Sequence, residues 1–475
     1  MAAAIPDVLA QRYASAAMRD IWSERGRIVL ERDLWIAVME AQRQLGVPIP
    51  AEAIEAYQRV RDDVDLESIA ARELVLRHDV KARIEEFCAL AGHEHIHKGM
   101  TSRDLTDNVE QCQIRRSLEL VRDKYVAVLV ALAARVEAWS GLTLVARTHY
   151  AAAQPTTLGK RLAMFGEEML AAFAALVELL ERYPLRGLKG AVGTGQDQLD
   201  LLGGDPQRLA ELQRLVRERL GFATELGAVG QVYPRSLDFG VIAVLLQLGS
   251  GVANLARTIR LMAGTEMVTE GFAPGQVGSS AMPHKMNTRS TERINGLQVV
   301  LGGYAHMAAG LTGDQWFEGD VSCSVVRRVC LPDAFFALDG MLETALHVLA
   351  DMGVFAPMIE RDLERYLPFL ATTALLTEAV RRGCGRETAH AIIREHAVAA
   401  ALAMREEGAA DSGLSSRLGA DPRLPLTEAE AAAVIARARQ NVGVAVGQAR
   451  AFVERVAALR DRYPGAARIR RERLL

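Results

Sequence analysis

The sequence predicts an all-α protein built around a bundle of long helices, and three features carry that reading. Aromatic residues fill only 5% of the 475 positions, while Ala, Leu, Glu and Arg dominate. These four lose little freedom in a helix, so strands are expected to be scarce. In SLELVRDKYVAVLVALAARVEAW, the apolar residues Leu118, Val121, Tyr125, Val128, Leu132, Val136 and Trp139 recur every three or four positions, which traces one face of a long helix. Proline-free stretches at 156–183, 235–273 and 286–331 leave room for several turns each, although Gly240, Gly249 and Gly251 weaken the second locally.

A chain of 475 residues exceeds one ordinary core of roughly 100–200 residues, so two or three domains are expected. Residues 1–100 read as an N-terminal helical domain, 101–353 as the central long-helix bundle and 354–475 as a C-terminal helical domain. Asp107 with Glu110 resembles a capping box ahead of the long helix, and Thr427 with Glu430, after Pro425, marks a late helix start. There is no internal repeat.

Half the residues are hydrophobic, 24% are charged and the net charge is −3, a globular balance with no general attraction to phosphate backbones or anionic lipid. Nucleic-acid and membrane roles are therefore disfavoured, and a small-molecule partner is expected. The first residues lack a basic region followed by an apolar run, and no stretch reads as a bilayer span, so a cytoplasmic location is expected. The five cysteines, Cys88, Cys112, Cys323, Cys330 and Cys384, are odd in number with no CxxC spacing. They are expected to be reduced and mostly structural.

The most unusual stretch is GQVGSSAMPHKMNTRSTER at 275–293. Glycines, paired serines and cations interrupt helical sequence there. Such a loop can present backbone N–H groups and Lys285 to an anion and favour ionisation of a serine. The same composition also suits a solvated interhelical loop. Other polar clusters lie at 77–80, 93–104, 147–149 and 315–328. Histidine can act there as acid or base, whereas His306, His347, His390 and His396 sit in amphipathic helical sequence. His93, His95 and His97 with Glu94 invite a metal, but alternate residues diverge on a helix, so no metal site is expected. GLKGAVGTGQ at 187–196 matches neither common phosphate-loop pattern.

Taken together, GSSAMPHKMN and its partner segments resemble the fumarase/aspartase superfamily, and within it the adenylosuccinate lyases. The supporting segments are RYAS at 12–15, RHDVKA at 77–82, HKGMTSRDLTDN at 97–108, RTHYAAAQPTTLGKR at 147–161, GQVYPRSLD at 230–238 and QWFE…RR at 315–328. The serine core is shared across the superfamily, while RHDV with TSxDxxDN is more particular to adenylosuccinate lyases. Histidine at position 284 is usual there, though cycloisomerases can share it. The chain departs from the pattern at Ala151 and Ala152, at Thr288 and in GAVGTGQ. The largest departure is Gly319, where many members place a substrate-binding arginine; Arg327 or Arg328 could stand in for it.

The resemblance implies a cofactor-free elimination of fumarate, with Ser279 as general base and His149 as general acid. It implies Arg12, Tyr13, Arg77, His78, Asp79, Thr101, Ser102, Gln231, Ser280, Lys285, Asn287, Arg293, Ser324 and Arg328 as substrate-binding residues. Lys285 and Asn287 would stabilise growing negative charge, and His78 would contact the nucleotide phosphate. Implied substrates are succinylated nucleotides, namely adenylosuccinate and succinyl-aminoimidazole carboxamide ribotide. The implied fold is a three-domain one whose long helices form a twenty-helix core in a homotetramer, with each active site built from three chains. A sibling lyase or a carboxymuconate-type cycloisomerase is the alternative, and a metal-dependent hydrolase a remote one.

Overall fold

A computed structural model describes residues 6–271 and 278–472. Six helices open the chain: α1 (Val8–Arg12), α2 (Ala16–Trp22), α3 (Glu24–Gln44), α4 (Ala51–Arg59), α5 (Leu66–Leu76) and α6 (Asp79–Ala91). The bundle begins with α7 (Ser102–Ala138), a β-hairpin of β1 (Thr143–Thr148) and β2 (Ala151–Thr157), and α8 (Leu158–Arg182). Two shorter helices, α9 (Gln196–Leu201) and α10 (Pro206–Arg219), precede α11 (Ser236–Gly264) and the short strand β3 (Val268–Thr269). Then come α12 (Arg289–Ala309), α13 (Cys323–Asp351) and β4 (Gly353–Val354), which pairs with β3. The rest is α14 (Ala356–Leu370), α15 (Thr372–Arg381), α16 (Arg386–Glu406), α17 (Leu414–Gly419), α18 (Glu428–Ala438) and α19 (Ala445–Arg462).

Periodicity located the long helix correctly. Leu118, Val121, Tyr125, Val128, Leu132 and Val136 all lie wholly inside the core, on a helix of 37 residues that extends about 55 Å. Its start is earlier than expected. Thr101 is the N-cap, its box completed by Asp104, whereas Asp107 is buried inside the helix. The Thr427–Glu430 box does open α18. The expected stretch 286–331 divides between α12 and α13, and α13 continues through Pro332.

Pairwise contacts give the helix directions. Tyr125 on α7 donates to the carbonyl of Leu248 on α11 at 3.0 Å, and Asp107 lies beside Arg235, just before α11. Along α13, Arg327 meets Glu110, Lys124 meets Glu343, and Arg135 reaches the carbonyls of Leu349 and Ala350. Helices α7, α11 and α13 therefore run parallel, with α8 and α12 returning between them. Within this bundle Lys124 is held by Asp339 and Glu343, and Ser15 at the start of α2 joins them at 2.7 Å. One-sided loss of such a buried ion group is costly.

Contrary to the sequence expectation, α11 is apolar and long enough by composition to cross a bilayer, yet 61% of its apolar window is buried inside the protein. Its apolar surface is satisfied by neighbouring helices. A second core joins Leu363, Leu367, Leu375, Ile392, Leu418 and Val434 from α14–α18, and Val145 of β1 enters it. Helix α19 instead packs on α7 and α8, where a Cβ at Gly166 would stand 2.3 Å from the Phe452 ring.

Between α12 and α13, the Tyr304 hydroxyl donates to Asp333 at 2.9 Å. Burial, with Asp7 adding to it, pushes the Asp333 carboxyl up to about 6 from 3.8. The folded state then holds the extra proton between these values, so stability falls as pH rises across that window. Asp333→Asn is expected to flatten this slope and to stabilise the fold at pH 7 by about 1 kcal/mol after allowance for partial exposure, read as a higher Tm. Thermal melts across pH test this; a lower Tm for the variant at pH 7 would refute it.

Candidate active site

The expected residues gather at two ends of the bundle. At the N-terminal end of α7, Thr101 and Ser102 occupy the N-cap and first turn. Asp104, fully buried, accepts from the Thr101 amide at 2.9 Å, from Arg186 at 2.6 Å, and from the amides of Lys189 and Gly190 at 2.8 and 3.0 Å. Asn108 donates to the Gly187 carbonyl and accepts from its amide. Asp107 accepts from the Tyr233 amide and pairs with Arg235 at 3.2 Å. One polar face of α7 thereby shapes both the 186–190 and the 230–235 loops.

Gln231 is placed by the second loop, its amide donating to the Glu318 carbonyl at 2.6 Å. Gly230 is required there, because a Cβ would stand 2.0 Å from that carbonyl oxygen. Gly319 has φ +152°, and its added Cβ would lie 3.2 Å from Gln231 and Val232. Ser324 accepts from Arg103 at 3.1 Å, and Arg103 also pairs with Asp107 at 3.2 Å. Arg328 is exposed. Arg327 is not available as a substitute cation: it is buried and committed to Asp238 at 2.7 Å and Glu110 at 2.8 Å.

Residues from the N-terminal helices surround this end and the flank of the bundle. Arg77 terminates α5 with φ 52°, and His78 caps α6, its Nδ1 accepting from the Lys81 amide at 3.2 Å. Asp79 pairs with Arg83 at 3.2 Å, and the cation together with local hydrogen bonds outweighs burial to hold its carboxyl below the usual range. Arg12 is exposed at the end of α1. Tyr13 packs on Gly340 and lies 5.5 Å beneath the Arg293 guanidinium.

At the opposite end stands His149, in the two-residue turn of the hairpin. His149 and Tyr150 have φ 52° and 62°, the left-handed pair that such a turn requires and that non-glycine residues resist. The hairpin is anchored from outside the turn: Val145 enters the C-terminal core, and Arg147 donates through Nη2 to both carboxylate oxygens of Asp362 on α14, at 2.7 and 2.9 Å. Arg147 and Tyr150 line a cavity of about 190 Å³ together with Met262 and Met267, so the hairpin tip neighbours the root of the serine loop.

Of that loop, Gly275, Gln276 and Val277 lie outside the described residues. Ser279 Oγ accepts from the amides of Ala281 at 3.3 Å and Met282 at 3.1 Å. Donors aimed at an oxygen favour its anionic form. Asn287 donates to the Gly278 carbonyl at 2.8 Å, closing the loop neck; Ser280 and Lys285 are exposed. Glu270, which the sequence reading missed, is buried before the loop and accepts from the amides of Ser290 and Thr291 at 2.8 and 2.9 Å. Its charge meets the positive end of α12, so one carboxylate holds both ends of the loop.

The histidine cluster does not converge. Trp35 donates to Nδ1 of His97 at 3.1 Å, and His95 faces Lys98 at 2.8 Å. Burial pulls His97 downward in pKa, consistent with a neutral acceptor ring. Among the described residues no three His, Cys, Asp or Glu side chains are grouped to hold a metal ion.

Fold and site together define a lyase of the fumarase/aspartase type. A lyase family model matches residues 11–303, and a model of the adenylosuccinate lyase C-terminus matches residues 368–456. Adenylosuccinate lyases of Schistosoma mansoni and Saccharomyces cerevisiae are each 34% identical to the chain, the first over 85% of both sequences and the second over 84%. The chain belongs to the adenylosuccinate lyase family. Among solved structures, the 3-carboxy-cis,cis-muconate lactonizing enzyme of Pseudomonas putida is similar, with TM-score 0.81 and 21% identity over 96% of this chain and 100% of that one. A fumarate lyase from Mesorhizobium sp. BNC1 gives 0.78 and 22% over 94% and 99%. These two likenesses concern the fold alone.

Gly319→Arg is expected to raise KM and cost about 1–3 kcal/mol of stability, because the backbone there disfavours any side chain and Gln231 would be displaced. Steady-state kinetics with thermal melts decide it. Unchanged KM and Tm would mean that position 319 neither lines the site nor is strained.

Proposed function

We infer that the protein eliminates fumarate from adenylosuccinate, giving AMP, and from succinyl-aminoimidazole carboxamide ribotide, giving aminoimidazole carboxamide ribotide, in purine biosynthesis. Family membership supports the substrate class, and the observation that carries the chemistry is the pair of amides aimed at Ser279 Oγ. As an alkoxide, Ser279 takes the proton from the carbon next to a carboxylate of the succinyl group. The electron pair left behind forms the carbon–carbon double bond as the carbon–nitrogen bond breaks. Meanwhile the carboxylate beside the reacting carbon gains negative charge, which Lys285, Asn287 and loop amides are suited to stabilise. His149 gives the departing nitrogen its proton.

Arg77, His78, Asp79, Thr101, Ser102, Gln231 and Ser324 then serve the nucleotide and its phosphate, with Arg103 positioning Ser324. Arg12, Tyr13, Ser280, Arg293 and Arg328 complete the proposed contacts. Thr101 and His149 flank a helix about 55 Å long, and even a hairpin folded straight back along it would recover only about 20 Å. That separation supports sites shared between copies of the chain, as does the exposed apolar surface at Leu74, Val75, Val299 and Val325. A homotetramer with each site drawn from three chains fits these features. The conformation of Gly319 favours a sibling fumarate-releasing lyase as the second reading.

The deciding assay is release of fumarate from adenylosuccinate, with Ser279→Ala losing turnover while still binding substrate. No turnover by folded wild-type protein would favour the sibling reading. His149→Gln and Ser279→Ala, each nearly inactive alone, are expected to recover about a quarter of wild-type activity after subunit exchange, since independent assortment gives that share of sites both groups. Exchange without recovery would place both residues on one chain or assign one wrongly.

A further inference from the structure

Away from both ends of the bundle, α3, α7 and α10 enclose a cavity of about 600 Å³, within the usual range for small-molecule sites. It is lined by four arginines, Arg61, Arg115, Arg116 and Arg219, but by only two carboxylates, Asp33 and Glu119. Two further carboxylates stand just outside the lining, Asp62 on Arg61 and Glu40 near Arg219, so what the cavity has in excess is unused guanidinium hydrogen-bonding capacity rather than net charge. None of these residues belongs to the proposed catalytic machinery.

The two carboxylates are already matched. Arg61 grips Asp33 with both nitrogens of one edge, the Nη2 contact being 2.7 Å, and uses its remaining nitrogen on Asp62 at 2.8 Å. Arg115 bonds Glu119 at 3.1 Å through Nε alone, and its guanidinium lies 5.0 Å over the Phe222 ring. Its outer nitrogens face Gly221, where an added Cβ would stand 3.7 Å from Nη1. Arg116 and Arg219 are the surplus. Arg116 is 53% exposed and only 3.9 Å from the already paired Asp33. Arg219 is 64% exposed and 3.7 Å from Glu40, too far for a hydrogen bond.

A pair of lightly engaged guanidinium groups at the rim suits phosphoryl oxygens, which their planar forks can bind in a bidentate manner. Leu30, Ile36 and Phe222 supply apolar wall inside the same cavity, a surface suited to a nucleobase. We propose that this cavity is a second ligand site, distinct from the lyase site, that takes a nucleoside di- or triphosphate. A lone phosphate would leave the apolar wall uncovered. A ligand here would also bridge the N-terminal helices to α7, the helix whose first turn carries Thr101 and Ser102.

The test uses the full chain in low salt, measuring binding of ATP, inorganic tripolyphosphate and AMP by calorimetry. ATP is expected to bind saturably and tripolyphosphate more weakly, with AMP unable to displace ATP. The double variant Arg116→Ala/Arg219→Ala is expected to weaken ATP binding at least about tenfold while releasing fumarate from adenylosuccinate at near wild-type rate. Arg116→Lys, which keeps the charge but not the fork, is expected to fall between them. The proposal is overturned if ATP shows no saturable binding at about millimolar concentration, if the double variant binds it as well as wild type, or if AMP displaces it stoichiometrically. Because turnover is measured on the same samples, failure of the second site is distinguishable from failure of the lyase assignment.

Discussion

The buried carboxylate of Asp104 is the contact on which one end of the molecule depends. It completes the cap of α7, neutralises the wholly buried Arg186 and accepts the amides of Lys189 and Gly190. In a low-dielectric interior such a group is stabilising only when all its partners are present. Asn108 and Asp107 extend the same face to Gly187, Tyr233 and Arg235, and the second loop in turn sets Gln231 against Glu318. The irregular backbone that presents the proposed substrate contacts is therefore ordered by three polar side chains on two turns of one helix.

The other end is ordered by different means. The serine loop is closed by Glu270 and Asn287, while the hairpin bearing His149 is held by packing against the C-terminal helices. Because α7, α11 and α13 run parallel, loops before them collect at one end and loops after them at the other. The residues proposed for proton transfer and for nucleotide recognition thus lie in separate regions of a single chain, and the length of the helices between them underlies the proposal that they meet by assembly.

The long helices were legible because burial imposes a periodicity, as from Leu118 to Val136, that survives in the sequence. The start of α7 was misplaced by six residues for an instructive reason: Asp107 and Glu110 carry cap-like spacing but are used for tertiary contacts. Polar residues at 104, 107, 108 and 111 share one face of an otherwise apolar helix, and that spacing was the available signal for the hub. The hairpin was not legible, since His149-Tyr150 lacks the Asn-Gly or Asp-Gly signature of its turn. Glu270 escaped notice because its partners are backbone amides, which leave no mark on composition. Motif resemblance named the candidate residues, but only geometry showed that Arg327 is committed elsewhere and that Gly319 has little space for a side chain.

The left-handed turn at His149 and Tyr150 also bears on how the protein tolerates change. Holding two ring-bearing residues in that conformation costs of the order of 1 kcal/mol each, and the restraint comes from Val145 and from Arg147 on Asp362. With His149 as the proposed acid, the C-terminal helices act as a vise for the reacting group although they contribute no residue to it. Substitutions that loosen that distant core would relax the turn before they unfold the chain, so genetic lesions there would register as slow chemistry in an otherwise abundant protein.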